Sequence, residues 1–258
     1  MADPDPLDCF GLSGRTAIVT GAASGIGKAT AQLFAAVGAR VVLADLNETS
    51  AQHVSAGIGG SALAARCDVA DEASVAALFA LVRERFGQLD VLVNNAAYRL
   101  KADTMTMPAS EWDMMHAVIA RGTFLCAREA IRMMLAQPEG GTIVNVSSVS
   151  AQHPTIFSNT HYDSAKAGVD ALTRALAVEF APKVRVNSVQ PGGTITEGAN
   201  RLKDLAPSMG PMAQPGRIPL ARRAEPIEQA RAILFLASPA SAYVTGHHLT
   251  VDGGYCVA

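Results

Sequence analysis

The stretch Thr20-Gly21-Ala22-Ala23-Ser24-Gly25-Ile26-Gly27 decides how this chain is built. An apolar, β-branched run over residues 16–20 leads into it, and a helical pattern over residues 28–37 leads out. Glycines between a strand and a helix let the backbone turn tightly and bring its amides close to a pyrophosphate, at a helix start whose unpaired N–H groups favour anions. An ordinary tight turn is the plain alternative. The strand before, the helix after and Asp45 closing the next strand, residues 40–45, together favour dinucleotide binding. Asp45 can accept a hydrogen bond from a ribose 2′-OH, its charge repels a 2′-phosphate, and positions 22 to 24 hold no Arg or Lys to offset it. The expected cofactor is NAD rather than NADP.

Working outward, further strands are expected over residues 63–67, 89–94, 142–147, 184–189 and 248–251, with helical patterns between them. Apolar runs without polar alternation belong to strands covered on both faces. The predicted fold class is therefore α/β: a single doubly wound, Rossmann-like domain of about seven parallel strands in the order 3-2-1-4-5-6-7, flanked by helices on both faces. Pro108 suits the first turn of a helix running toward residue 136, and Pro226 opens another through residue 236. The 258 residues, 49% hydrophobic and 5% aromatic, fit one such domain over 15–258. Residues 1–14 carry Asp3, Asp5 and Asp8 before any basic residue and hold no apolar run long enough for a signal peptide or membrane span, so a loosely held arm is expected.

A formal net charge of -2 gives no electrostatic footprint for nucleic acid or an anionic membrane. Cys9, Cys67, Cys126 and Cys256 are scattered, without CxxC pairs or a grouping with histidines, so neither a disulfide framework nor a metal site is expected. A cytoplasmic location fits best.

The second informative stretch is Tyr162-Asp163-Ser164-Ala165-Lys166, with Ser148 upstream. If Tyr162 opens a helix, Lys166 lies on the same face, about 5–6 Å away at Cβ. A free phenol ionises near pH ~10, and a cation beside it favours the phenolate. Tyr162 then becomes a usable general acid or base. A Tyr and a Lys can also fall four apart by accident, so this motif draws its weight from the rest of the chain.

Thr20-Gly21-x-x-x-Gly25-x-Gly27, Asp68-Val69, Asn94-Asn95-Ala96, Ser148, Tyr162-x-x-x-Lys166, Pro191-Gly192 and Asp252-Gly253-Gly254 follow one another between about Arg15 and Gly254. Each is weak alone, but in this order and spacing the chain resembles the short-chain dehydrogenase/reductase family. The resemblance implies an NAD-dependent oxidoreductase that interconverts a secondary alcohol and its ketone. Catalysis would fall to Ser148, Tyr162 and Lys166: Tyr162 exchanges the proton, Ser148 orients the same substrate oxygen, and Lys166 holds the nicotinamide ribose while lowering the phenol's pKa. Ser147 and Ser150 are nearby rivals of Ser148.

Cofactor contacts would come from Gly21, Ser24, Gly25, Ile26, Gly27, Asp45, Leu46, Asp68, Val69, Asn95, Ala96, Tyr162, Lys166, Pro191, Gly192, Thr194 and Thr196. Asp68 could equally begin the turn leading to a helix start at Asp71, and Thr196 could be an ordinary helix cap. Residues 193–217 would form a substrate lid. The family also implies a homotetramer joined through helices at 108–136 and 162–180.

Two positions depart from the pattern. Ala97 follows Asn-Asn-Ala where the family usually has Gly, and Ile119 stands where the family has a catalytic Asn that supports a water-linked proton path. Ile cannot hydrogen-bond, so the relay is in question, although a backbone carbonyl of the same helix could hold the water. Ile119 also motivates a contrary function, a nucleotide-binding or scaffolding member that has lost turnover. A third candidate is 3-oxoacyl thioester reduction. His116, His153 and His161 lie near the expected site, where packing is the commoner role, and Met105, Met107, Met114 and Met115 are expected to pack the long helix and its approach.

Overall fold

In the computed structural model, residues 7–198 and 211–258 are described. Strand β1 (Thr16–Thr20) is buried along its whole length and pairs in parallel with β2 (Arg40–Asp45) on one side and β4 (Val91–Asn94) on the other. With β3 (Ala62–Arg66), β5 (Gly141–Val146), β6 (Val184–Pro191) and β7 (His248–Val251) they form one parallel sheet, ordered β3-β2-β1-β4-β5-β6-β7. The strand order reverses between β1 and β4. At such a switch point the chain leaves neighbouring strands toward opposite faces, and a crevice opens beyond their C-terminal ends.

Among the described residues, seven α-helices flank the sheet: α1 (Gly25–Ala36), α2 (Glu48–Ile58), α3 (Glu72–Phe86), α4 (Ala109–His116), α5 (Gly122–Leu135), α6 (Thr160–Phe180) and α7 (Pro226–Ala237). Side chains alternate along a strand, so each strand supplies both faces. Ile18, Val42, Leu92 and Ile143 point one way and pack with Phe79 of α3, Ile131 and Met134 of α5 and Leu176 of α6. Their neighbours Val19, Leu43, Val93 and Val144 point the other way, onto Phe34 of α1, Val54 of α2 and Ile233 of α7. Each large apolar side chain so buried contributes about 1.5–3 kcal/mol. The unbroken apolar runs are the signature of this two-sided burial.

The strands at 16–20, 40–45 and 248–251 have the expected limits, and the others differ by up to two residues at an end. The larger differences lie in the helices. Helix α1 begins at Gly25, inside the glycine stretch and three residues before the apolar pattern suggests. Pro108 stands just outside α4, and the helix expected from 108 to 136 is interrupted by a π turn at Ala117–Arg121. Met115 packs in the core as expected, but Met105, ahead of α4, and Met114, on the outer side of α4, are exposed. Of the arm at 1–14, Asp8–Phe10 forms a 3-10 turn and Leu12 is buried, its N–H donating to Val37 O at 2.9 Å. Residues 1–6 and 199–210 lie outside the described residues, so the expected lid is described only over 193–198 and 211–217.

Candidate active site

Beyond β1 the backbone turns at Gly21, whose φ of +64° a side chain rarely adopts. A Cβ at Gly27 would stand 2.1 Å from the Gly21 carbonyl oxygen, so α1 can lie this close to the turn only with hydrogen at that position. Asn95, at the end of β4, fixes the other side. Its Nδ2 donates to Thr20 O at 2.9 Å and Gly21 O at 3.0 Å, while the Thr20 hydroxyl accepts from the N–H groups of Asn95 and Ala96, both at 3.0 Å. The first amides of α1 lack a side-chain cap from Ser24, and the N–H of Gly25 donates to Glu197 Oε2 at 3.1 Å. An anion therefore already sits on this helix start, as its dipole favours. Ile26 follows inside the first turn.

Asp45, at the tip of β2, borders the same turn: its Oδ2 accepts from Ala23 N–H and its Oδ1 from Asn47 N–H, both at 2.9 Å. Leu46 beside it is 59% exposed. Asp68 accepts from Ala70 N–H and receives Ser74 Oγ on its own N–H, whereas Asp71 caps α3, so turn-forming and helix-starting roles fall to different aspartates. Val69 is buried against Gly122. Pro191 ends β6, and Gly192 passes so close to Asp252 that a Cβ would meet its Cα at 2.6 Å. Thr194 is buried and bonded to Gly192 O and Gln229, which turns it toward the protein rather than the crevice. Thr196 lies against Gly25.

Across the switch point, α6 brings Tyr162 and Lys166 onto one face, both buried. Lys166 Nζ donates to Val146 O at 2.6 Å and lies 5.7 Å from the centre of the Tyr162 ring. Ser148 hydrogen-bonds the phenol, and its Oγ also accepts from Ser150 N–H at 3.1 Å. The rivals are committed elsewhere, Ser147 to Lys166 O and Ser150 to the Thr155 hydroxyl. Burial raises the phenol's pKa, but Arg99, Lys166 and the Ser148 hydrogen bond outweigh it, so Tyr162 ionises below its ordinary range. Burial also holds Lys166 below the usual ammonium range, partly offset by Tyr162.

Sequence reasoning missed Arg99. Its guanidinium lies 4.3 Å from the Tyr162 ring centre and is the foremost cation favouring the phenolate. The available signal was its place in the loop after β4, at the carboxyl end of a parallel strand beside the switch point. Glu197 was missed as a partner of the glycine turn for the same reason: its neighbour lies far away in sequence.

Ile119 is 1% exposed and packs with Met115, Tyr162, Ala165 and Val169 at the π turn. Its carbonyl, a candidate water holder, accepts from Thr123 Oγ1 at 2.6 Å. His116 bonds Trp112 O and Ser164 Oγ, His153 is exposed, and His161 is fully buried next to Tyr162. Among the described residues no group of three metal-ligating side chains occurs, and no helix is long and apolar enough to cross a membrane.

A family model described as enoyl-(acyl carrier protein) reductase matches residues 21–256. The cis-4-hydroxycyclohexanecarboxylate dehydrogenase of Sinomonas cyclohexanicum is 44% identical over 93% of this chain and 96% of its own. A crystal structure of a short-chain type dehydrogenase/reductase from Mycobacterium marinum superposes with a TM-score of 0.92 at 39% identity, covering 98% of this chain and 99% of the other. A 3-ketoacyl-(acyl-carrier-protein) reductase from Brucella melitensis, complexed with NADH, has a TM-score of 0.86 at 33% identity, over 95% and 100% of the two chains. The protein belongs to the short-chain dehydrogenase/reductase family, whose members are oxidoreductases that bind a nicotinamide cofactor.

Proposed function

We propose that this protein oxidises a small or medium secondary alcohol to its ketone, with NAD as cofactor and Tyr162 as the base. The observation that carries the reading is the buried phenol between Ser148, Lys166 and Arg99, held below its ordinary ionisation range. Tyr162 as phenolate takes the hydroxyl proton. Ser148 donates to the same oxygen and steadies it as it becomes a carbonyl. Lys166 keeps the phenolate form favoured and, by the family resemblance, would hold the nicotinamide ribose.

The residues present fit the cofactor. The Gly21–Gly27 approach leaves backbone where a pyrophosphate needs it, and the Gly25 amide already binds a carboxylate. Asp45 and Leu46 would border the adenosine ribose, Asp68 and Val69 the adenine, Asn95 and Ala96 the central turn, and Pro191, Gly192 and Thr196 the nicotinamide end. When bound, NAD supplies the hydride acceptor. Asp45 disfavours a 2′-phosphate by like charge, and cells generally keep NAD oxidised, which supports the oxidative direction.

The test is absorbance at the reduced-nicotinamide band with NAD and then NADP across a panel of alcohols. Cofactor binding without NADH formation from any alcohol would transfer the weight to a nucleotide-binding role. Reduction of a 3-oxoacyl thioester is the second reading, favoured by the likeness to the NADH-bound 3-ketoacyl reductase. NADH oxidation with such a thioester, faster than with simple ketones, would select it. The reading extends to a cytoplasmic homotetramer: all four cysteines are free thiols, and α5 and α6 expose Phe124, Leu135 and Val178. Light scattering at the mass of one chain would remove the tetramer.

A further inference from the structure

Among the described residues, Arg99 has no carboxylate in an ion pair with it. Its guanidinium lies over the Tyr162 ring, it is half-buried, and its Nε is buried with no hydrogen-bond partner. Arg223, also half-buried, donates to Thr194 O and is close enough to feel the Arg99 charge. Lys166 is a second cation beside the phenol that Arg99 covers. Among the described residues, neither arginine forms an ion pair. Asp163 feels the Arg99 charge, but its carboxylate is taken by Asn159 Nδ2 at 2.6 Å.

Arg223 borders a wall formed by Met212 and Thr155. Met212 N–H docks on Thr155 O at 3.2 Å, and a Cβ on Gly193 would lie 3.2 Å from Met212 Sδ and 3.5 Å from Arg223 Cγ. Thr155 is in turn bonded to Ser150, two residues from Ser148. The strip from Arg223 through Met212 and Thr155 therefore reaches the hydroxyl that orients the substrate oxygen. Like charges gathered in a partly desolvated cleft without a counter-ion repel one another, and an incoming anion relieves that repulsion. The planar fork of an arginine matches a carboxylate in two parallel hydrogen bonds.

We propose that the substrate is a hydroxy acid whose carboxylate is received by Arg99 and Arg223 while its carbinol meets Tyr162 and Ser148. The assignment rests on the reading of Ser148, Tyr162 and Lys166 as the reaction centre, and it makes Arg99 and Arg223 the residues that select the substrate.

The experiment uses the full chain, with and without saturating NAD, and two unreactive probes of matched shape, cyclohexanecarboxylate and the neutral cyclohexanecarboxamide, in a calorimetric titration. The wild-type protein binds the carboxylate about 10-fold tighter or more, as a charge-assisted hydrogen-bonded pair requires. Arg99→Gln brings the ratio of the two affinities to within about 3-fold, and Arg99→Lys, which keeps the charge without the fork, restores part of it. Equal affinity of the wild type for both probes overturns the proposal with no variant needed. A ratio unchanged in Arg99→Gln overturns the role of Arg99. Inorganic phosphate binding more tightly than the carboxylate overturns the choice of a hydroxy acid. Because the probes are unreactive, failure of every alcohol to yield NADH would defeat the oxidoreductase reading alone, and the affinity ratio still decides this one.

Discussion

Around Gly21 the crevice is made of backbone, and around Tyr162 it is made of side chains. The glycine turn is defined by a positive φ, by a carbonyl that excludes a methyl group at Gly27 and by an asparagine that donates to two main-chain oxygens. The proposed reaction centre is defined by a phenol whose ionisation is set by Arg99, Lys166 and Ser148, which come from three separate segments of the chain. Geometry imposed by main chain tolerates few residue types and leaves a local mark in the sequence. Chemistry imposed by side-chain neighbours leaves a mark only where those neighbours share a helix, as Tyr162 and Lys166 do.

Changes on the side-chain half should cost turnover, and changes on the backbone half should cost cofactor choice and folding. The largest effect is expected of Tyr162→Phe, which removes the proton acceptor and lowers kcat by about 10²–10⁴-fold. Steady-state NADH formation checks it, and near-native turnover would break the assignment of the base. On the other half, Asp45→Ser removes the charge facing a 2′-phosphate. The ratio of kcat/KM for NAD over NADP should then fall about 10-fold or more. A ratio that does not move would mean the selectivity lies elsewhere.

Ile119→Asn tests the junction of the two halves. Ile119 is sealed among Met115, Tyr162, Ala165 and Val169, so an amide there is buried without a partner and destabilises the fold by about 1–3 kcal/mol. The rate should not rise, and a large gain would instead mean that the native site is impaired for want of an asparagine. Thermal melts and initial rates on one preparation separate the two outcomes. The smallest effect is on pH dependence. Oxidation needs the phenolate, so its rate rises with pH through a pKa lowered by the nearby cations. Removing one of them with Arg99→Ala raises that pKa and moves the rising limb toward alkaline pH. An unmoved limb would leave Lys166 and Ser148 as the groups that set it.

The parallel sheet was legible because its apolar runs, buried on both faces in the five central strands, admit little but a sheet between helix layers. The glycine turn, Asp45 and the Tyr162/Lys166 pair were legible through local spacing. The π turn was not, since Ala117–Arg121 carries no proline and sits within an apolar pattern that reads as continuous helix. Nor was Arg99, whose meaning depends on Tyr162 across a loop and a helix. Nor was the partner of Thr194, whose hydroxyl accepts from Gln229 of α7, a residue far away in sequence.

If the glycine turn receives the coenzyme as proposed, the carboxylate of Glu197 on the amide of Gly25 makes the protein a competitor of its own ligand. An arriving phosphate must evict a tethered rival before it gains the helix start, so the affinity measured for the coenzyme understates what the bare turn could offer. Neutralising that rival with Glu197→Gln should tighten coenzyme binding, and the gain would measure how strongly the chain occupies its own door.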